Sequence, residues 1–372
     1  MNFLIISSVT HIKGNNQFFG YAPYIREMNM WAKHVSKISV VAPISNRQIS
    51  VIDIPYEHQN IEFIAVQPLS LLGISEIFKT IFHLPRIVYL MIKTMKNADH
   101  IHLRCPGNMG LLACFVQIFY PNKPKSAKYA GNWDFSAKKP FTYKLQQWIL
   151  NNKFLTRNMQ VLVYGDWQNA SKNIIPFFTA TYSEKDAEII VKEDVNLGIK
   201  FVCAGMLVKG KNPLYAIQII EKLYNDGNNV SLELYGDGIE RQRLQDYIND
   251  NNLSDYIFLQ GNQNAEILKN AYKNSHFVLL PSVSEGWPKA LAEGMFWGCV
   301  PIALPVSCVP AMMDFGSRGL LLDFNLEHDV TLISKLFNDK NRLSQMSKDA
   351  KIWSQQYTIE KFENAIKNIL KP

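Results

Sequence analysis

Short apolar runs without polar alternation recur along the chain, and longer segments with apolar residues three or four apart follow them. Strands are read at residues 2–7, 37–42, 99–104, 126–130 and 159–164, and again at 199–205, 231–235, 257–259, 276–281, 300–303 and 320–323, with 99–104 and 231–235 broken by polar residues and 174–178 continuing towards the second half. Continuous runs predict strands buried on both faces, as in a parallel sheet. Segments of the second kind predict helices over 24–34, 75–95, 109–119, 213–224, 240–249, 265–273, 326–337 and 341–357, with a short one around 184–191. Residues 8–23, through Lys13-Gly14-Asn15-Asn16, read as a long loop. Strand and helix in alternation predict an α/β fold.

One strand-to-helix passage stands out. After the apolar run 276–281 comes Ser284-Glu285-Gly286-Trp287-Pro288-Lys289-Ala290-Leu291-Ala292-Glu293-Gly294-Met295. Pro288 suits a first helical position and Gly298 the residue past the end, so a helix is predicted over 288–297. Its first amides, near Gly286, Trp287 and Lys289, and its positive dipole end favour an anionic or hydroxyl-rich ligand. Gly286 lets a ligand approach the backbone. Glu285 and Glu293 have seven residues between them. Either glutamate could simply complement a dipole or face solvent. Glu293, flanked by Ala292 and Gly294 in an apolar helix, needs a partner, which ligand hydroxyls would supply.

This passage resembles the two-glutamate motif of family 4 retaining glycosyltransferases. The resemblance implies a GT-B fold, two Rossmann-like domains facing a central cleft, with a last helix returning to the first domain. It implies that Glu293 binds the ribose hydroxyls of a nucleotide-sugar and that Glu285 contacts the donor sugar. The segment Gly205-Met206-Leu207-Val208-Lys209-Gly210-Lys211-Asn212 is similar to the family's diphosphate loop. Lys211, or Lys209, then falls on the family's lysine, while Met206 replaces its arginine. Two lysines beside glycines after a strand also attract phosphate on general grounds, although a solvated charge pair is the other reading. Gly236-Asp237-Gly238 is half of a dinucleotide fingerprint, and the family places such a turn near the nucleotide.

The first half departs further from the pattern. A Gly-Gly pair in the first loop is reduced to Gly14, either a donor contact or an ordinary loop glycine. At the strand end 131–134 the family's histidine is missing, so Asn132, Trp133 or Asp134 must act there. Trp133 is either a sugar platform or a core residue. Arg104, at a strand end in front of a helix, is a candidate for phosphate or carboxylate. His102, inside a strand, reads as a core residue.

The length suits two domains, expected at 1–180 and 181–355, with a returning C-terminal helix over 356–372. Residues 1–180 hold 19 Lys+Arg against 8 Asp+Glu, and the remaining 192 hold 20 against 24, so the halves carry +11 and −4. That asymmetry points to an anionic membrane or phosphate-bearing acceptor for the first half. Helix 75–95, with Lys79, His83, Arg86 and Lys93 among apolar residues, reads as a crossover helix, a membrane-surface helix, or both. Cys105, Cys114, Cys203, Cys299 and Cys308 lack metal spacing and read as buried thiols of a reducing compartment. No leader or membrane span is visible, so a cytoplasmic enzyme, peripheral to the membrane at most, is expected. No metal, other cofactor or nucleic acid is expected.

The reading is transfer of a sugar from a nucleotide diphosphate to the hydroxyl of a glycan or lipid-linked acceptor. Glu285, Lys211, Asn132 and Asp134 are the catalytic candidates. Gly14, Arg104, Gly205, Lys209, Lys211, Gly236, Gly238, Gly286, Trp287, Lys289 and Glu293 are the donor-binding ones. A nucleotide-sugar epimerase and a catalytically silent binding protein remain alternatives.

Overall fold

In the computed structural model, which describes every residue except Val51, Leu71, Leu72, Asn169, Val191 and Pro372, the chain forms two α/β units. The first takes Met1–Phe178 and the chain from Phe362 onward, and the second takes Thr179–Lys361.

In the first unit the strands are β1 (Asn2–Ile6), β2 (His11–Gly14), β3 (Gln17–Tyr21), β4 (Lys37–Ser45), β5 (Asp53–Pro55), β6 (Ile61–Val66), β7 (His100–Cys105), β8 (Lys125–Tyr129), β9 (Met159–Tyr164) and β10 (Ile174–Phe177). The helices are α1 (Ala22–Ala32), α2 (Ile74–Asn97), α3 (Asn108–Val116) and α4 (Phe141–Leu150). Strand order is β10-β9-β8-β7-β1-β4, with β6 beside β4, and these strands pair in parallel. Apolar residues of β1, β4 and β9 fill both faces of this sheet, while β7 and β8 also bury His100, His102, Lys125, Ser126 and Lys128. Ile87, Met91 and Met95, four residues apart on α2, are buried in the same core as Leu4, Ile101 and Leu103.

The expected long loop after β1 is instead a hairpin. β2 and β3 run antiparallel with Gly14 opposite Gln17, and Asn15 and Asn16 both take positive φ, 48° and 59°. Two left-handed residues in a row match the twist of flanking strands, and asparagine tolerates that conformation. Strand Ile61–Val66 and helix Phe141–Leu150 are likewise additions to the elements expected from the sequence.

The second unit holds β11 (Ile199–Ala204), β12 (Val230–Tyr235), β13 (Ile257–Gly261), β14 (Phe277–Leu280), β15 (Val300–Ala303) and β16 (Leu320–Leu321). Its helices are α5 (Pro213–Asn225), α6 (Arg241–Asp250), α7 (Ala265–Asn274), α8 (Lys289–Phe296), α9 (Val309–Met312), α10 (Leu326–Phe337) and α11 (Lys340–Ser354). All its strands are parallel, in the order β13-β12-β11-β14-β15-β16. One face is covered by α5 and α10 through Ile217, Ile220, Ile333 and Leu336, the other by α8 and α11 through Leu291, Met295 and Ala350. Pro288 precedes α8 as its cap residue instead of opening it, with ψ at 81°. Where a helix around 184–191 is expected, a single 3-10 turn spans Glu184–Asp186, capped by Ser183; Val191 lies outside the described residues.

The last helix, α12 (Ile359–Leu370), starts where Thr358 Oγ1 accepts from the Lys361 amide. From Phe362 it belongs to the first unit, and Phe362 packs against Phe177 and Phe178.

Candidate active site

Strand order in the second unit reverses direction between β11 and β14, which are adjacent though far apart in sequence. Chain leaving these two strands at their carboxyl ends diverges to opposite sides, and open α/β sheets bind ligands in the crevice so formed. The loop after β11 carries Lys209 and Lys211, and the loop after β14 carries Glu285 and Gly286. Two hydrogen bonds stitch the loops together. Asn212 Nδ2 donates to Pro281 O at 3.0 Å, and the Val283 amide donates to Gly210 O at 3.1 Å. Asn212 is left-handed, φ 49° and ψ 46°, immediately before the Pro213 that opens α5. That turn carries Lys211 Nζ to within 2.5 Å of Glu285 Oε1.

The loop after β12 joins the same cluster through its backbone. The Leu207 amide donates to Asp237 O and the Glu240 amide to Leu207 O, each at 3.0 Å. A Cβ on Gly236 would lie 1.9 Å from Gly205 O, and one on Gly238 2.3 Å from Leu207 O. These glycines therefore let two strand-end loops touch backbone to backbone.

Around the Lys211–Glu285 pair the setting is dry on one side. The Glu285 side chain is 7% exposed and that of Lys211 28%. An acidic side chain this deep requires a cation, and Lys211 supplies it. Cys308 Sγ donates to Gly286 O at 3.2 Å. Burial pushes the Cys308 thiol up to about 12, which leaves it protonated and a poor nucleophile.

Glu293 faces elsewhere on α8. Its Oε1 accepts from Thr181 Oγ1 at 2.7 Å, its Oε2 from Tyr272 OH at 3.3 Å, and Lys289 Nζ is 3.6 Å away. The partner that the sequence demanded is thus provided by the protein's own hydroxyls, at 11% side-chain exposure. Burial and the Glu293 charge push the Tyr272 hydroxyl well above the usual tyrosine range. Trp287, Lys289 and Glu293 line one cavity of about 10 Å³, room for a single water. Among the described residues no hydrogen bond or ion pair joins Glu293 to the Lys211–Glu285 pair. Thr181 and Tyr272 give no functional signal in the sequence.

In the first unit the candidates are occupied. Arg104 does not present a free guanidinium: its Nη1 lies 3.0 Å from Glu27 Oε2 on α1, and Lys128 Nζ lies 3.6 Å from Glu27 Oε1. Those two cations hold the Glu27 carboxyl below its ordinary range, against the opposing pull of burial. Asn132 Oδ1 accepts from the Asp134 amide and Asp134 Oδ1 from the Ser136 amide and hydroxyl, so both side chains shape consecutive turns. Trp133 is fully buried against Tyr129, so its face is core packing and not a sugar platform. Gly14 closes the hairpin, where a Cβ would meet Ile49 Cδ1 at 2.8 Å. His102 is buried, and its Nδ1 shares the Ser126 hydroxyl with His100 Nε2.

Asp323, His328 and Asp329 bring ligand-type atoms within 4.8 Å of one another. Their contacts are internal: His328 Nδ1 to Asp323 Oδ2 at 2.7 Å, and Tyr215 OH to Asp329 Oδ2 at 2.5 Å. The group sits at the start of α10, whose positive dipole end opposes a cation.

Residues 186–353, within the second unit, match the family model described as Glycosyl transferases group 1. An uncharacterized glycosyltransferase of Methanocaldococcus jannaschii is 27% identical over 190 residues, 50% of this chain and 52% of that protein. One of Haemophilus influenzae is 28% identical over 158 residues, 41% of this chain and 42% of its own. The matches thus span about half the length of these curated relatives. Over the whole chain the fold is GT-B. It superposes on the lipopolysaccharide outer core galactosyltransferase WaaB with a TM-score of 0.69 at 13% identity, covering 100% and 99% of the two chains. Anabaena HepE in complex with UDP gives 0.68 at 14% identity, covering 99% and 98%. Sucrose-phosphate synthase of Thermosynechococcus elongatus gives 0.67 at 17%, with coverage of 99% and 98%.

Proposed function

We propose that this chain is a retaining glycosyltransferase of family 4, moving a hexosyl unit from a nucleotide-diphosphate donor to an acceptor hydroxyl. The observation that carries this reading is the Lys211–Glu285 pair at the strand-order reversal of the second unit, inside the stretch that matches group 1 glycosyltransferases. An ammonium and a carboxylate that satisfy each other in the free protein can each turn to a donor group. Lys211 then stabilises the charge that grows on the departing diphosphate, with Lys209 as a second cation. Glu285, released, orients the sugar through its hydroxyls. Glu293 exchanges Thr181 and Tyr272 for the two ribose hydroxyls, since a carboxylate accepts from either source. The amides of Gly286, Trp287 and Lys289 assist, and no metal is called on in this scheme.

UDP is the nucleotide we assign, because HepE of the same fold is known with UDP and a relative from Limosilactobacillus reuteri is named for UDP-N-acetylglucosamine. We place the acceptor among cytoplasmic lipid-linked or surface-glycan precursors, on the strength of the basic first half and an exposed apolar stripe on α2.

A thermal-shift screen against UDP-, GDP- and ADP-sugars tests the donor reading, since a ligand selective for the folded state raises its melting temperature. A shift in the parent that is lost in Lys211→Ala supports it, and no shift with any nucleotide sugar removes it. Incubation with the donor alone separates the alternatives: an isomeric nucleotide-sugar identifies an epimerase, whereas binding without turnover on any acceptor identifies a silent binder.

A further inference from the structure

Opposite the carboxyl ends, at the amino ends of β7, β8 and β9, the first unit holds a second recess. It is open to solvent and about 710 Å³ in volume, and its walls include His100, Lys125 and Met159 at or next to those strand starts. Four cationic side chains line it, Lys125, Lys153, Arg157 and Lys371, with no aspartate or glutamate. Among the described residues none of the four pairs with a carboxylate elsewhere. Among the described residues this is a basic field without a facing carboxylate.

Lys125 makes the recess more than a basic surface. It is 2% exposed, and its Nζ donates to Tyr120 O at 2.8 Å and Gln117 O at 3.4 Å. An ammonium has three protons to donate, so one is left without an acceptor among the described residues. Burial without a counter-charge lowers its pKa to about 8. Desolvating a charge in this way is costly unless an anion compensates it. Arg157 lies over the Phe154 ring, 5.3 Å from its centroid, and its guanidinium also borders the recess. A planar fork beside ammonium groups is suited to phosphate oxygens.

We propose that this recess is a binding site for a phosphate ester, separate from the donor site of the second unit. Its volume admits a sugar phosphate or the head of a phospholipid, and Lys125 in its wall gains a counter-ion that it does not have among the described residues. The inference does not depend on the transferase reading, because no residue of the recess takes part in that scheme.

Calorimetric titration with inorganic pyrophosphate tests it, on the full chain, on Lys211→Ala and on the double variant Lys153→Ala/Arg157→Ala. The double variant should keep its melting temperature and lose one binding phase by roughly tenfold or more, as expected when two charge-assisted contacts are removed. Lys211→Ala should leave that phase intact and affect only a second one, so the two sites fail separately. Absence of pyrophosphate binding in the parent, or equal binding in the double variant, overturns the proposal. Co-sedimentation with phosphatidylglycerol vesicles then identifies the source. Release of the double variant from the vesicles assigns a lipid head group. Retention on them, with pyrophosphate binding lost, assigns a soluble phosphate ester.

Discussion

Lys211 Nζ and Glu285 Oε1 lie 2.5 Å apart although 74 residues separate them, each at the exit of a neighbouring parallel strand. Neither loop alone would hold its charge in place. If Lys211 meets the diphosphate, Lys211→Ala removes a transition-state contact, and kcat should fall by roughly 10²–10³-fold, the range found for a lost stabilising donor. Lys211→Arg should retain part of the rate, since the charge survives with altered geometry. Steady-state kinetics on the nucleotide-sugar that stabilises the protein decides the matter. A rate within about threefold of the parent in Lys211→Ala would exclude it from the chemistry.

Glu293 offers a different readout. It accepts hydroxyl hydrogen bonds from Thr181 and Tyr272 in the free protein, and under our reading it accepts two from ribose in the complex. Glu293→Ala should therefore weaken UDP binding by about 10–100-fold, the worth of hydrogen bonds to a charged acceptor. Thr181→Ala breaks only the contact made in the free state, so it should leave UDP affinity unchanged or slightly improved. Calorimetry on both variants checks the exchange, and equal weakening in the two would mean that Glu293 serves the fold alone.

At Gly236 the backbone itself is on trial. Its φ of 130° and the 1.9 Å that would separate an added Cβ from Gly205 O forbid a side chain. Gly236→Ala should lower stability by about 1–3 kcal/mol, as overpacking does, and should part the loops that position Lys211. Gly210→Ala is the matched control, for nothing lies within 4 Å of its Cβ position. A thermal melt that drops by several degrees for the first and not the second is expected, and identical melts would refute the packing role.

Much of this is legible in residue order, and the reasons differ by residue. Parallel strands announce themselves as unbroken apolar runs, so 276–281 and 300–303 predict β14 and β15 to within a residue or two. Lys211 and Glu285 stand out because lysine beside glycine and glutamate before a helix start are local signals at strand ends. The partners are not local. Nothing near Arg104 in sequence reveals that Glu27 lies across the strand end, and Thr181 has no feature that marks it as a partner of Glu293. Trp133 is ambiguous in the sequence because large aromatic faces serve cores and sugars alike, and only its complete burial decides. The Asn15-Asn16 hairpin is read as a loop from the sequence, and the signal that would have marked it is the pair of adjacent residues that tolerate left-handed backbone.

Four buried histidines, His11, His100, His102 and His276, give the protein an acid limit. Burial lowers the pKa of His11 and His100 to about 4 and that of His102 to about 3, against about 6.5 in an unfolded chain. As pH falls below 6.5 the unfolded chain takes up protons that the folded chain refuses, so folding loses stability. The contribution is complete above pH 6.5 and declines toward pH 4 by about 1.4 kcal/mol per unit for each of His11, His100 and His102. Asp53, held low by Arg47, and Glu360, lowered to about 2 chiefly by the Ser183 hydroxyl, act in the same direction, but only below the carboxylate range. Denaturant midpoints measured at pH 7, 6 and 5 should fall steadily, with a shallower slope in His102→Gln. A midpoint unchanged between pH 7 and 5 would contradict the burial argument.

α2 has two apolar sides, and only one is used within its unit. Ile87, Met91 and Met95 are buried, whereas Phe78 and Phe82, four residues apart, are 69% and 81% exposed, with Ile81 and Tyr89 along the same stripe. Lys79, Arg86, Lys93 and Lys96 flank that stripe. No helix of the described residues is long and apolar enough to cross a membrane, so an exposed row of this kind suits a helix lying in the interface. Each phenylalanine transferred out of water contributes about 1.5–3 kcal/mol, and nearby lysines add attraction only where lipid is anionic. Phe78→Ser/Phe82→Ser should then reduce co-sedimentation with phosphatidylglycerol vesicles by about tenfold or more, while under our reading any UDP-induced thermal stabilisation persists, because the loops we propose for the donor belong to the other unit. Binding to neutral vesicles should be weak in the parent already. Equal sedimentation of parent and variant on anionic lipid would show that this stripe does not meet the membrane.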